Sequence, residues 1–430
     1  MTGRRSFHEA TGMAVILWCI TISSTLQRDF LIPRWMLHVP DDNMTGVPIS
    51  VLQLEKNVLQ PAKLNLQNMF SFQQQLEKSR SLQKTQVQVS NSTEFFCNTN
   101  GTRSSTRPTS VHKLRPGDID IIGSIGDSLT AGTGSLAYSI QLIFVDFRGT
   151  SWTGGGQNTW REFLTIPNIL KVFNPKLFGY ARGNSVTLQK DSQFNVAEVG
   201  AVSRDLLFMT RELVKRIKMD KRVNLNEDWK LISLMIGSNT FCLEICYEDY
   251  TTYAEKHKKE VLQSLLYLKE NLPRTMVNLI LSPNLEFELN LNNLPPICFL
   301  TQIMECPCLF ATQYKRYLPD YIEVMKSYQK VEKEIVEHEE LKNKEDFTVI
   351  LQTFTENFTF PNNQFNMSDT RYLGSDCFHL SQKGYASLAN ALWNNMLEPV
   401  GNKSKGWSEE FSRFLCPSAE FPYIRTWKNS

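Results

Sequence analysis

The 430-residue sequence has little excess charge of either sign, since 46 basic residues balance 44 acidic ones and the formal charge is +2. That balance argues against the broad positive surface of a nucleic-acid-binding protein. The sequence also lacks a Cys-x-x-Cys pair, a Gly-Lys-Ser/Thr phosphate loop and a His-Glu-x-x-His helix. No sequence motif therefore indicates a metal or nucleotide site, and we predict no metal, no cofactor and no nucleic-acid partner.

Long hydrophobic runs are equally scarce, apart from a short one near the N-terminus. Arg4 and Arg5 precede an apolar run at 13–20, and small polar residues follow it. A run of about ten apolar residues is too short to cross a bilayer comfortably, which takes about 20. The pattern is typical of an export signal, so we predict a signal peptide at 1–25 and no transmembrane helix in the mature chain. An uncleaved anchor is the alternative.

The cysteines and the glycosylation sequons agree with export. Besides Cys19 in the leader, the sequence has an even set of cysteines whose pairing it does not determine: Cys97, Cys242, Cys246, Cys298, Cys306, Cys308, Cys377 and Cys416. Asn-x-Ser/Thr sequons begin at Asn43, Asn91, Asn100, Asn357, Asn366 and Asn402. We predict a secreted glycoprotein with disulfide bonds, with peripheral membrane association as a further option.

Composition and pattern divide the chain. Residues 26–110 are rich in Leu, Gln, Asn and Ser, with a helical pattern at 51–84 that Pro61 interrupts and a polar stretch at 90–110 typical of a linker. From Val111 onward, apolar runs suited to buried strands occur at 118–123, 231–236, 276–281 and 347–351, and helical patterns at 251–272, 314–341 and 382–397. The alternation predicts an α/β fold whose parallel sheet is covered on both sides, with the active site beyond the carboxyl ends of the strands.

The first predicted strand ends at a serine. In Gly126-Asp127-Ser128-Leu129, an Asp-Ser pair taken alone is more often a helix cap than a catalytic group. Its position just past a strand, followed by small residues, favours a nucleophile instead. A serine hydroxyl becomes a good nucleophile only when a base removes its proton and a third group orients that base.

His379 is the candidate base. Of the six histidines, it alone has a carboxylate three residues before it in an apolar turn, that of Asp376. Asp376 could bind one ring nitrogen while the other faces Ser128. The alternative is a structural His–Asp cap.

Ester hydrolysis also needs donors for the oxyanion of the transition state. The backbone amides of Gly200 and Ser128 and the side-chain amide of Asn239, which follows a buried strand, are the candidates. Without the other segments, Gly200 and Asn239 would be ordinary loop residues.

The ordered set of Gly126–Leu129, Gly200, Gly237–Asn239 and Asp376–His379 resembles the four blocks of the GDSL, or SGNH, hydrolases, and within them the phospholipase B1 family. Further matching stretches lie at 111–119, 148–152, 164–170, 227–230, 276–279, 306–308 and 391–401. The resemblance covers 111–401, which we predict to be the hydrolase domain, followed by a C-terminal tail at 402–430; residues 26–110 form an N-terminal variable segment.

The resemblance implies a flavodoxin-like three-layer α/β/α fold with a central parallel sheet. It implies Ser128 as nucleophile, His379 as base and then acid, Asp376 as the residue that orients it, and an oxyanion hole of Ser128, Gly200 and Asn239. It further implies metal-free hydrolysis of phospholipid and lysophospholipid acyl esters at a membrane or micelle surface, through an acyl-enzyme.

One block departs from the family pattern. Where phospholipase B1 usually has Gly-Gly-Asn-Asp, this sequence has Gly237-Ser238-Asn239-Thr240. Ser238 adds a side chain and Thr240 removes a carboxylate, which predicts reduced activity.

We predict a secreted phospholipase A2/lysophospholipase of phospholipase B type. The alternatives are an esterase for retinyl, acylglycerol or acetyl-sugar esters, and a catalytically impaired protein that binds lipid or a partner.

Overall fold

The computed structural model describes residues 63–64, 67, 70–247 and 249–430, all within the unit Leu59–Ser430. The predicted signal peptide, the Asn43 sequon and most of the predicted helical stretch before Phe70 lie outside the described residues.

Four parallel strands form the central sheet, and each pairs with the next along the chain. They are β1 (Ile119–Gly126), β2 (Trp229–Met235), β3 (Thr275–Ile280) and β4 (Phe347–Gln352). All four were predicted, with bounds that differ by up to three residues. Isolated parallel bridges from Phe178 to Ile121 and from Asn195 to Ser124 lie along the free edge of β1.

Helices follow the strands and surround the sheet. The α-helices of the described residues are α1 (Phe72–Ser81), α2 (Ser128–Ala131), α3 (Ile166–Phe173), α4 (Leu206–Met219), α5 (Ser238–Leu243), α6 (Tyr253–Asn271), α7 (Glu286–Leu289), α8 (Pro296–Glu305), α9 (Pro307–Phe310), α10 (Leu318–Val336) and α11 (Gln382–Leu397). The predicted helices at 251–272 and 314–341 are shorter in the structure, because 3₁₀ turns occupy residues at their ends.

Side chains of each strand alternate between two apolar layers. Leu231 and Met235 of β2 pack in one cluster with α3 and α11, whereas Ile232 and Leu234 pack in a second cluster with α4 and α6. Burial on both faces explains why these strands are continuous apolar runs in the sequence. The predicted three-layer α/β/α fold with a central parallel sheet is confirmed.

Described residues on either side of 111–401 contact the sheet domain. Within the stretch predicted as a linker, Arg103 forms an ion pair of 2.8 Å with Asp120. In the C-terminal tail, the Ile424 amide donates to the carbonyl of Leu114 at 2.8 Å. The described parts of the two flanking segments therefore contact the sheet domain, whose boundaries stay a prediction.

The eight cysteines of the predicted set form four disulfide bonds. They are Cys97–Cys416, Cys242–Cys306, Cys246–Cys308 and Cys298–Cys377. The even set is confirmed, and the structure supplies the pairing that the sequence leaves open.

The predicted sequons that the structure describes are open to solvent. The asparagines at 91, 100, 357, 366 and 402 are all exposed. Among the described residues, no helix combines the length and apolar character needed to span a bilayer.

Candidate active site

Ser128 lies at a tight turn between β1 and α2. Gly126 ends the strand, and a Cβ atom there would clash with the Thr130 side chain and the Met235 carbonyl. Asp127 caps α2 by accepting the Leu129 amide at 3.0 Å. The Asp-Ser pair therefore does form a helix cap, but Asp127 makes the cap and leaves the Ser128 hydroxyl available for another partner.

That partner is His379, 251 residues away in sequence. Ser128 Oγ lies 2.8 Å from His379 Nε2, and His379 Nδ1 lies 2.6 Å from Asp376 Oδ2. All three side chains are buried. The structure thus brings the three predicted residues into one hydrogen-bonded line at the carboxyl end of the sheet.

The loop from Asp376 to His379 holds the imidazole in place. Asp376 Oδ1 accepts the backbone amides of Phe378 at 3.2 Å and His379 at 3.1 Å, which leaves Oδ2 for the ring. With Asp376 as acceptor at Nδ1, Nε2 of the neutral ring accepts a hydrogen bond from the Ser128 hydroxyl.

Nearby carboxyl groups determine the charge state of His379. Burial alone would lower the pKa of His379, but the charge of Asp376, their hydrogen bond and the charges of Glu305 and Asp127 outweigh it and raise the pKa to about 9. Burial raises the pKa of Asp127 to about 6, against opposing effects of the Leu129 amide and His379. A neutral His379 base is therefore favoured at alkaline pH.

Asn239 is the predicted oxyanion donor that the structure brings to the same cleft as Ser128. Its Nδ2 donates one hydrogen to the carbonyl of Ala201 at 2.8 Å, and the amide group has a second hydrogen. Gly200, adjacent to Ala201, is exposed and has a φ of +79°, a conformation that favours glycine. The Asn239–Ala201 bond connects the Gly200 turn to α5.

The departures from the family's third block are accommodated locally. Ser238 lines the cleft, and its Oγ is buried without a hydrogen-bond partner among the described residues. Thr240 hydrogen-bonds Tyr328. Because Asn239 keeps its bond to Ala201, the loss of a carboxylate at 240 does not leave the block without an anchor.

An apolar cleft opens at Ser128 and Asn239. Its lining includes Leu129, Met235, Leu285, Phe287, Phe358 and Leu388. Such a lining is suited to a hydrocarbon chain.

The structure also places a residue that sequence reasoning missed next to the imidazole. Among the described residues, one group of three potential metal ligands has its atoms within 4.8 Å of one another, namely Glu305, Asp376 and His379. Asp376 already binds His379, and His379 also binds Ser128, so the group is better explained as negative charge around the imidazole. No spacing or motif in the sequence connects Glu305 with His379.

Helix α8 links the His379 loop to the Asn239 helix. Cys298 at its start bonds to Cys377, next to Asp376, and Cys306 just after its end bonds to Cys242 of α5. Thr301 Oγ1 also donates to the Asp376 carbonyl. The relative position of His379 and Asn239 therefore depends on α8.

Replacing Cys298 and Cys377 with serine is expected to lower the free energy of unfolding by about 2–4 kcal/mol. The same change is expected to lower kcat by about 10- to 100-fold, because a small displacement of His379 misaligns it with Ser128. Thermal unfolding and ester hydrolysis measure the two effects. The matched control replaces Cys97 and Cys416, which join the flanking segments, and should lose stability with kcat retained. Equal kcat losses in both variants would contradict a role for α8 in alignment.

Comparison with known proteins adds independent information. The sequence profile described as GDSL-like Lipase/Acylhydrolase matches residues 122–392. The chain is 36% identical to "Phospholipase B1, membrane-associated" of Rattus norvegicus over 341 residues, which cover 78% of this chain and 23% of the relative. The Homo sapiens protein of that name is 35% identical over 339 residues, with the same coverage. The chain thus spans about a quarter of the length of these relatives.

Among solved structures, phospholipase A1 from Streptomyces albidoflavus NA297 aligns with 62% of this chain and 95% of its own, at 13% identity and a TM-score of 0.31. That score is too low to support any assignment.

Proposed function

Because the chain belongs to the GDSL-like lipase/acylhydrolase family of carboxylic ester hydrolases, as its four sequence blocks predicted, we propose that it is a serine lipid esterase. Its proposed substrates are glycerophospholipids and lysophospholipids, and its proposed reaction releases a fatty acid through an acyl-serine intermediate. The observation that carries the proposal is the buried Ser128–His379–Asp376 line of hydrogen bonds, with bonds of 2.8 and 2.6 Å, at an apolar cleft.

In the proposed acylation step, Ser128 Oγ attacks the ester carbonyl carbon while its proton passes to His379 Nε2. Asp376 holds Nδ1–H and stabilises the imidazolium. When the tetrahedral intermediate collapses, the ester C–O bond breaks and the leaving alcohol takes the proton from Nε2. The products of this step are an acyl-serine and a free alcohol, such as a lysophospholipid or glycerophosphodiester.

Deacylation repeats the sequence with water. His379 removes a proton from water, the hydroxide attacks the acyl carbon, and Ser128 recovers a proton as the fatty acid leaves. In both steps we assign stabilisation of the oxyanion to the second Nδ2 hydrogen of Asn239 and to the backbone amides of Ser128 and Gly200. Such donors act strongly in a cleft that excludes water.

The substrate class rests on two supports. The cleft beside Ser128 is lined mainly by apolar side chains, as an acyl chain requires. The relatives are named as membrane-associated phospholipases B1, so a phospholipid at a membrane or micelle surface is the proposed partner. Secretion is proposed from the N-terminal pattern, the four disulfides and the exposed sequons.

The test is fatty-acid release by the full chain from mixed-chain phosphatidylcholine and from lysophosphatidylcholine, in chelator. Retinyl palmitate, monoacylglycerol and an acetylated sugar are offered in parallel. The proposal expects the highest kcat/KM on the two phospholipid substrates. Release confined to the other esters would replace the proposed substrate class, and lipid binding without release from any ester would replace the enzyme with a binding protein.

A further inference from the structure

The last residue of α8 carries a second carboxylate to the imidazole. A Glu305 carboxylate oxygen lies within 4.8 Å of a ring nitrogen of His379 and of an Asp376 carboxylate oxygen. Glu305 is partly buried, whereas Asp376 and His379 are fully enclosed. Glu305 therefore lies beside both members of the Asp376–His379 pair.

The structure around α8 fixes Glu305 in this position. Cys306, the next residue, is bonded to Cys242, and Cys298 at the other end of the helix is bonded to Cys377 in the His379 loop. Gln302, one turn before Glu305, donates to the Cys377 carbonyl at 3.4 Å. A carboxylate on a helix tied at both ends has little freedom to move away from the imidazole.

We propose that Glu305 is a positioning residue for the esterase reaction: it acts with Asp376 as a second carboxylate partner of His379 and stabilises the imidazolium that forms when Ser128 gives up its proton. The inference rests on the proposed esterase function and extends it to a residue outside the four sequence blocks.

Other charged and titratable groups also lie around the imidazole and its loop. Asp127 and Asp376 face His379 from the β1–α2 turn and its own loop. Glu288 of α7 is buried near Asp376, and burial followed by the Asp376 charge raises its pKa well above the usual range.

Two further groups lie on the Asp376 side. Lys84 donates to the carbonyls of Leu373 and Gly374, and although Asp376 attracts it, burial lowers its pKa. Tyr385 donates to the Thr133 carbonyl, and burial raises its pKa well above the usual value, so it stays neutral. Of the carboxyl groups besides Asp376, Asp127 and Glu305 have pKa values near neutrality, about 6 and about 7.

The direction of the pH effect follows from these charges. Burial raises the pKa of Glu305 to about 7. The attraction of a protonated His379 opposes this increase, and the repulsion of Asp376 adds to it. Above that pH the ionised Glu305 favours the imidazolium, so it helps to hold the pKa of His379 near 9. Removing its charge must lower the pKa of His379 and make the neutral base available at lower pH.

The test compares Glu305→Gln with wild type in kcat/KM for a soluble acyl ester between pH 5 and 10. We expect the acid limb of the variant to move down by about 0.5–1 pH unit and its alkaline plateau to fall about three- to tenfold, because the imidazolium loses a partner. Glu305→Asp keeps the charge on a shorter side chain, so its acid limb should lie between those of wild type and Glu305→Gln. Glu323→Gln, a change at an exposed carboxylate on α10 paired with Lys326, is the matched control and should leave the limb in place.

An acid limb that does not move in a folded Glu305→Gln variant overturns the proposal. If neither variant folds, NMR titration of the His379 ring in wild type and in Asp127→Asn decides. A second inflection near pH 7 that persists in Asp127→Asn supports coupling to Glu305, and its absence there contradicts it. The outcomes are separable from the proposed function, because wild type without ester hydrolysis refutes the esterase while the NMR titration still tests the Glu305–His379 coupling.

Discussion

Replacing Ser128 with alanine is expected to lower kcat/KM for an acyl ester by about 10⁴- to 10⁶-fold. The Ser128 Oγ is the atom that would form the covalent bond, and its 2.8 Å contact with His379 Nε2 is the route by which its proton would leave. Without Oγ, His379 and the oxyanion donors can only assist direct attack by water, which leaves a small residual rate.

The measurement is steady-state hydrolysis by purified, folded protein, with thermal unfolding recorded beside it. Ser135→Ala is the matched control, since Ser135 is a buried serine nearby whose Oγ bonds Thr150 at 2.7 Å instead of a base. The control should keep most of the activity. A Ser128→Ala variant with more than about 1% of wild-type kcat/KM would remove Ser128 from the nucleophile's role.

Replacing Asn239 with alanine is expected to lower kcat by about 100- to 1000-fold, with KM changed much less. One Nδ2 hydrogen of Asn239 is used by the Ala201 carbonyl, and the other belongs to a side chain that lines the cleft with Ser128. A donor aimed at charge that develops only in the transition state affects kcat and leaves binding of the substrate nearly unchanged.

Ser238→Gly is the control for this second prediction, because it restores the residue usual in the family's third block and leaves the Asn239 amide in place. Its kcat should stay within about threefold of wild type. If Asn239→Ala has no larger effect than this control, the oxyanion is stabilised elsewhere. A large gain in Ser238→Gly would instead identify the Ser238 side chain as an obstacle in the cleft.

The sheet and the three residues at Ser128 were predictable because their signals are local. Apolar runs such as 231–236 mark strands that are buried on both faces, and the Gly126–Leu129 turn and the Asp376–His379 spacing each carry their chemistry within four residues. The expectation that the two segments meet in space depended on the family resemblance, because no local sequence pattern predicts a contact between residues 251 positions apart.

The features around α8 were not predictable, because they depend on contacts between residues far apart in the sequence. Eight cysteines admit many pairings, and only the folded chain shows that Cys298 and Cys306 connect one helix to both the His379 loop and α5. Glu305 is an unremarkable acid in the sequence. Its proximity to His379 results from helix direction and long-range packing, which periodicity does not encode.

The most direct test of the central claim is covalent capture of the nucleophile. The full chain is treated with a long-chain alkyl fluorophosphonate, which phosphonylates activated serines, and the modified peptide is located by tandem mass spectrometry. The account predicts one adduct, on Ser128, whose formation parallels the loss of ester hydrolysis and fails in Ser128→Ala. Inactivation with the adduct on another residue, or esterase activity that persists after Ser128 is fully modified, would contradict it.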